Sequence, residues 1–129
     1  MNTRRDLLAT LALSSVAGMA QTSGTKAEVL KRQPLPAPFD GWEAAFLSVT
    51  TQPGVGSPPH SHGGFVLGYV IEGEFRFAID GNPPLVLKAG ETFYEPPGAR
   101  HTVSASARPD REVKVLAIVI LEKGKEITR

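Results

Sequence analysis

Apolar residues in this chain recur in short stretches with a two-residue period, and turn residues separate the stretches. Residues 44–50 alternate in this way, and residues 66–71 and 75–80 flank the turn Glu72-Gly73-Glu74, which predicts a hairpin. We expect shorter strands at residues 85–87, 92–95 and 101–104. Residues 113–121 predict a continuous apolar strand with both faces buried. No helical period follows the N-terminal stretch, so the pattern predicts an all-β protein.

Glycine and proline set the spacing of these strands. The chain of 129 residues contains 13 Gly and 11 Pro. Turn signals such as Asp80-Gly81 and Pro96-Pro97-Gly98 recur at intervals of roughly ten residues, a spacing typical of a β-sandwich or barrel. The length suits one such domain.

The first 20 residues have the features of a cleavable export signal. Arg4 and Arg5 precede an apolar stretch, residues 7–20, that is too short to span a bilayer and ends in small residues. The paired arginines favour the twin-arginine route, which exports folded proteins; an ordinary Sec signal is the alternative. We therefore expect a periplasmic protein with no membrane segment in its mature form. Its mature chain would comprise an N-terminal arm (residues 21–43, with a short strand near residues 28–32), a barrel (44–121) and a charged tail (122–129).

Charge and composition exclude several classes of function. The formal net charge is +1, with both signs interspersed, so a nucleic-acid partner is not expected. The chain has no cysteine, which excludes disulfides, thiolate metal sites and a cysteine nucleophile. Any metal ion must therefore bind through histidine and carboxylate side chains.

All the histidines fall into one pattern. The chain has 3 His, at positions 60, 62 and 101. On a strand, His60 and His62 would share one face at about 6.6 Å, because each residue advances about 3.3 Å. His101 follows the rigid turn Pro96-Pro97-Gly98, and a barrel would bring its strand close to the other two. The sequence therefore predicts one divalent-ion site made by His60, His62 and His101.

The order of glycines, prolines and histidines resembles the cupin superfamily. Its first motif joins a glycine to a His-x-His pair, a glutamate and a second glycine, and its second joins a glycine to Pro-x-Gly and a histidine. The matching positions are Gly54, His60, His62 and Gly73, followed by Gly90, Pro96, Gly98 and His101. The resemblance implies a cupin-type double-stranded β-helix, a jelly-roll barrel, over residues 44–121.

Two positions depart from the cupin motifs. Val66 stands where the first motif has its glutamate ligand, and Ala105 stands where the second ends in asparagine. Some cupin oxygenases resemble the remaining arrangement of three histidines. Other cupins without the glutamate store or bind ligands, so the departure leaves catalysis open.

Glu95 is the candidate catalytic carboxylate, since it lies immediately before Pro96. It could hydrogen-bond a ligand imidazole or act as a base near the ion. The alternative is a solvent-facing strand residue.

The resemblance to small cupin dioxygenases implies a metal-dependent, dioxygenase-like enzyme that acts on a small organic molecule. We expect iron or manganese, with zinc, nickel or copper as possible occupants. The alternative is a non-catalytic cupin that binds a metal or small ligand, and a sugar-nucleotide epimerase receives no support from the balanced charge. We also expect a homodimer, because strand edges need cover and the arm has no evident partner in its own chain.

Overall fold

A computed structural model describes residues 19–22 and 24–129 of this protein. The expected signal segment, residues 1–20, lies almost entirely outside the described residues. The described part contains β-strands, turns and loops and no helix. The strands are β1 (Met19–Thr22), β2 (Thr25–Pro34), β3 (Trp42–Thr51), β4 (Phe65–Glu72), β5 (Glu74–Ile79), β6 (Leu85–Lys88), β7 (Thr92–Glu95), β8 (His101–Ser106) and β9 (Val113–Glu122).

The strands form two antiparallel sheets. A six-stranded sheet has the order β1-β2-β3-β9-β4-β7, and a three-stranded sheet has the order β6-β5-β8. The chain passes between the sheets repeatedly, because β4, β7 and β9 lie in the first and β5, β6 and β8 in the second. This arrangement is a double-stranded β-helix, and the predicted all-β jelly-roll fold is confirmed.

Apolar side chains from the facing sides of the two sheets form the core. Phe75 and Phe77 of β5 contact Phe93 of β7, with ring centroids 5.2 and 4.9 Å apart. Phe93 lies directly over Gly68 of β4, where a Cβ would collide with its ring. Glycine at position 68 thus makes room for an aromatic side chain that reaches the centre of the molecule.

The expectation for the longest apolar strand is wrong in part. Alternate residues of β9 are buried, whereas the other face, including Ile118 and Ile120, is only half-buried. The apolar residues of this second face form part of the outer surface of the six-stranded sheet, which no other element of the described chain covers fully. A continuous apolar run therefore does not require two buried faces.

The N-terminal region contributes more strand than its sequence predicts. β2 spans Thr25–Pro34, well beyond residues 28–32, and pairs with β3 along most of its length. The premise that the arm lacks a partner in its own chain is therefore wrong, since backbone hydrogen bonds with β3 hold it in the sheet. Its side chains are mostly exposed, which explains why no hydrophobic alternation marked it.

Candidate metal centre

Backbone pairing brings the histidines together at one end of the molecule. His60 forms an isolated antiparallel bridge with His101, the first residue of β8, through hydrogen bonds of 3.2 Å (His60 N–H to His101 O) and 2.7 Å (His101 N–H to His60 O). His62 forms a second bridge, with Thr128 near the C-terminal end of the chain. The His60-Ser61-His62 segment is thus extended, as predicted, although its pairing is limited to single bridges.

The three imidazole rings lie close together. The ring centroid of His60 lies 5.0 Å from that of His62 and 4.9 Å from that of His101. One nitrogen from each ring lies within 4.8 Å of those of the other two. The structure therefore gathers His60, His62 and His101 into one cluster that could hold a metal ion.

Backbone carbonyls fix the orientation of two of the rings. The Nδ1–H of His60 donates to the Pro58 carbonyl at 2.9 Å, and the Nδ1–H of His62 donates to the Ile127 carbonyl at 2.9 Å. When such a ring is neutral, its Nε2 carries the lone pair. Metal-binding histidines typically use one nitrogen for the ion and donate from the other in this way.

Glu95, the last residue of β7, lies beside the cluster. Its side chain is buried at 3% exposure, so the solvent-facing alternative is wrong. Its Oε2 lies 3.3 Å from His101 Nδ1 and its Oε1 lies 3.9 Å from His62 Nε2. The structure thus brings all four sequence-predicted site residues together.

Burial shifts the protonation equilibria of this group. Desolvation raises the pKa of Glu95 from 4.5 to about 7. Desolvation, reinforced by the neighbouring imidazoles, lowers the pKa of His62 to about 4 and that of His101 to about 3. At neutral pH both rings are therefore uncharged, so the 3.3 Å approach of Glu95 to His101 is a polar contact rather than an ion pair. Neutral imidazole is also the form that binds metal ions.

Unpaired polar atoms at this site fit a bound cation. Glu95 Oε1 and both ring nitrogens of His101 are buried and have no hydrogen-bond partner. Such orphaned atoms are costly, because burial removes their water without replacing it. Three imidazoles are a donor set for iron, manganese or zinc, and the Glu95 carboxyl lies beside them. The residues present therefore fit a divalent metal ion.

The structure also shows how this site has a carboxylate without a glutamate at position 66. Val66 is fully buried in the core and pairs with Glu95 across β4 and β7. Directly paired residues of antiparallel strands point to the same side of the sheet. Glu95 thus places its carboxylate one strand away from the position expected by the motif.

An apolar cavity opens beside the histidines. Its volume is about 190 Å³. Its walls are the inner faces of β2, β3 and β9 on one side and aromatic side chains on the other; they include Ala27, Leu47, Val49, Phe75, Phe93, Val115 and Ala117. A molecule in this cavity would reach the cluster directly.

Two site elements escaped sequence analysis. The C-terminal residues looked like a charged tail, yet Ile127 fixes His62, and Thr128 lines the cavity with its Oγ1 3.2 Å from His62 Nδ1. The Pro58 carbonyl orients His60. Backbone carbonyls that accept hydrogen bonds cannot be recognised from the side chains of a sequence. The isolated apolar residue Ile127 in a charged segment is the one sequence feature that points to this contact.

No helix in the part of the chain described here is long and apolar enough to cross a membrane.

Comparison with known proteins gives one family and a set of related folds. The profile of the family described as "Cupin domain" matches residues 47–119. No curated protein sequence matches the chain.

Several solved structures have the same fold. An uncharacterised protein with a double-stranded β-helix domain from Klebsiella pneumoniae has a TM-score of 0.65 at 17% identity, covering 93% of this chain and 98% of its own. KdgF from Halomonas sp. has a TM-score of 0.63 at 18% identity, with 82% and 87% covered. The polyketide cyclase RemF from Streptomyces resistomycificus has a TM-score of 0.61 at 20% identity, with 87% and 72% covered. At these identities the likeness concerns the fold alone.

Proposed function

This chain belongs to the cupin family, and we propose that it is a small exported enzyme that binds iron or manganese and acts on a small organic molecule in a dioxygenase-like reaction. The observation that carries the proposal is the group of buried, unpaired polar atoms on His101 and Glu95 beside an apolar cavity. A purely structural core would gain stability by replacing them with apolar side chains. Their presence supports a site built for a cation and a ligand.

The residues of the site have distinct roles in this proposal. His60, His62 and His101 hold the ion, and the Pro58 and Ile127 carbonyls keep the rings of the first two in the binding orientation. A bound divalent ion would supply Lewis-acid or redox chemistry. Glu95 Oε1, buried and without a partner, accepts a hydrogen bond or a proton from a ligand held at the cluster. The cavity walls exclude water from that ligand.

The first experiment measures metal content and dioxygen consumption together. We expect protein isolated from its native export route to carry stoichiometric iron or manganese by elemental analysis. His101→Ala should lose it, whereas Glu28→Gln on the exposed face of β2 should not. The loaded protein should consume dioxygen with a phenolic, enolic or thiol substrate. Metal retained by His101→Ala would contradict the shared site, and metal binding without any turnover would support a non-catalytic binding protein.

Export and metal identity are linked in this proposal. An open imidazole site favours copper and zinc over iron and manganese, so folding outside the cytoplasm would select the wrong ion. Twin-arginine export of folded protein would preserve an ion loaded in the cytoplasm. Replacing Arg4 and Arg5 with lysine should retain the protein in the cytoplasm. Normal export of that variant, or zinc or copper in the natively exported protein, would contradict the link.

We also propose a homodimer. The outer face of the six-stranded sheet aligns four large side chains in register across β3, β9, β4 and β7: Phe46, Ile118, Leu67 and Tyr94. Leu67 and Tyr94 are about half exposed, and an apolar row of this kind is best covered by an identical face. Light scattering at micromolar concentration should give twice the mature mass. Leu67→Lys should shift it towards the monomer, and a monomeric wild type would contradict the proposal.

A further inference from the structure

The cavity beside the histidines is shaped by small side chains in register. Ala27, Val49 and Val115 form a row across β2, β3 and β9, and Leu47 pairs with Ala117 in the next row. Small residues at the centre of a sheet leave space that larger ones would fill. The opposite wall is aromatic. The size of the side chains on β2, β3 and β9 therefore determines this space.

The size of this space limits the part of a ligand that the cavity can enclose. A cavity of ~150 Å³ with aliphatic and aromatic walls holds one benzene ring. The cavity here, at about 190 Å³, exceeds that by the room needed for a few further atoms. It is too small to enclose a fused-ring molecule or a nucleotide-linked sugar entirely, since sites for drug-sized ligands usually measure ~300 Å³ or more.

The charges around the cavity disfavour any anionic group of a ligand that is not bound to a metal ion. Its lining contains no lysine and no arginine, and its ionisable groups are the three histidines and Glu95. Arg100 approaches the rim, where its Nη2 donates to the Pro59 carbonyl at 3.2 Å, but its side chain does not line the cavity. A phosphate or a second carboxylate would therefore be buried unpaired, at a high desolvation cost.

The remaining polar groups allow few hydrogen bonds to a ligand. Ser57 Oγ donates to Thr25 Oγ1 at 3.1 Å, and Thr25 Oγ1 lies 3.4 Å from Thr51 Oγ1, so these hydroxyls largely satisfy one another. Apart from the Ser104 hydroxyl, the polar groups left for a ligand lie at the histidine end, where Glu95 and Thr128 line the cavity. A ligand with many hydroxyl groups, such as a sugar, would leave most of them unpaired against aliphatic walls.

We propose that the cavity binds an uncharged single-ring molecule with one oxygen donor, the oxygen directed to the histidine cluster and the ring held between the small-residue rows and Phe75 and Phe93. This rests on the proposed function for the metal at the cluster. The aliphatic and aromatic walls stabilise the ring by burial, and the cluster selects for the oxygen.

A ligand series on the wild-type protein tests this directly. Phenol, toluene, benzoate and glucuronate are titrated by calorimetry, anaerobically, into manganese-loaded and metal-free protein. We expect phenol to bind the loaded protein at least about tenfold more tightly than toluene, and glucuronate not to bind. Without metal, this preference for phenol should shrink. Preferential binding of glucuronate to the loaded protein, preferential binding of benzoate to the metal-free protein, or no binding of any one-ring compound would overturn the proposal.

Variants then locate the binding. Ala117→Leu narrows the cavity and should weaken phenol binding at least about tenfold, while Ala89→Leu, in an exposed turn, should leave it unchanged. If Ala117→Leu fails to fold by circular dichroism, Ala27→Val tests the neighbouring row of the same cavity wall from its half-buried end. If a folded cavity variant bound phenol with unchanged affinity, phenol would not bind in this cavity.

Elemental analysis separates the two proposals. A protein that holds manganese but binds no single-ring ligand refutes this inference and leaves the metal function standing. A protein that holds no metal refutes the proposed function itself.

Discussion

Val66 and Glu95 are neighbours across β4 and β7, and this pair shows how a carboxylate can reach the histidine cluster when a motif residue changes. The cross-strand register places both side chains on the same inner side of the sheet. Val66 packs in the core with no exposure, and Glu95 presents its carboxylate to the histidines. The sequence motif specifies a carboxylate only at position 66, so a comparison with the motif indicates that a ligand is missing.

This register predicts that the carboxylate can be exchanged between the two strands. Glu95→Val should weaken metal binding by about 10–100-fold, the usual cost of losing a supporting group at a metal site. Adding Val66→Glu to that variant conserves both charge and volume and should restore most of the affinity. Competition with a chromophoric chelator measures both constants.

Two further results would bear on the exchange. Val66→Glu alone places two carboxylates side by side in the core and should lower stability. Glu28→Gln, on the exposed face of β2, serves as the control for a lost surface charge. A double variant that folds but binds no better than Glu95→Val would show that the two positions are not equivalent.

Among the elements, the C-terminal segment has the largest unexpected role. Residues 127–129 pair with the segment that contains His62: Ser61 and Arg129 exchange backbone hydrogen bonds of 2.7 and 2.8 Å, and Gly63 N–H donates to Ile127 O at 3.2 Å. Gly63 and Gly64 lie so close to the backbones of Glu126 and Ile120 that a Cβ would collide with them. The segment therefore clamps the His60-Ser61-His62 stretch onto the molecule.

Removal of residues 127–129 should weaken metal binding more than stability. The deletion takes away the carbonyl that holds His62 Nδ1–H, and the ring then becomes free to rotate. We expect about a 10–100-fold loss of metal affinity. Thr128→Val, which keeps the backbone, should have a much smaller effect. Equal affinities for the deletion and the full chain would show that the clamp does not position His62.

The strands differ in how far their sequences could have predicted them. β4, β5 and β7 were found near their observed bounds, because one buried face against one exposed face produces a two-residue alternation. β2 was underestimated, because an edge-side strand with mostly exposed residues has no such alternation. The pairing of residues 127–129 was missed because three residues carry no periodicity. The candidate metal centre could be predicted where side chains form it, but not where backbone carbonyls orient those side chains.

At the scale of the whole molecule, the site lowers the stability of the metal-free folded state. Glu95 and His101 are buried close together, and Glu95 Oε1 and both ring nitrogens of His101 lack hydrogen-bond partners. A metal ion bound at the proposed site would offset this cost and should raise the stability of the folded state in proportion to the logarithm of the metal concentration. The metal-free protein should therefore show the titration of the site in its pH-dependent stability.

Two opposing effects determine how the stability of the metal-free protein depends on pH. The pKa of Glu95 is raised from 4.5 to about 7 by burial, so its contribution is favourable below pH 4.5 and is lost as the pH rises through 7. The pKa values of His62 and His101 are lowered from 6.5 to about 4 and 3, so their contribution is present above pH 6.5 and is lost as the pH falls towards those values. Between pH 4.5 and 6.5 the two histidines outweigh the single carboxyl.

We therefore expect the free energy of unfolding of the chelator-treated protein to rise from pH 4.5 to 6.5 and then to level off near neutrality. In this range the unfolded chain binds about one proton more than the folded protein, which corresponds to ~1.4 kcal/mol per pH unit. Glu95→Gln removes the opposing carboxyl and should roughly double that slope, whereas Glu28→Gln should leave it unchanged. Urea denaturation at a series of pH values measures all three proteins. An identical slope for wild type and Glu95→Gln would show that Glu95 is ionised in the folded metal-free protein, and that the buried carboxylate is stabilised by its neighbours rather than by a proton.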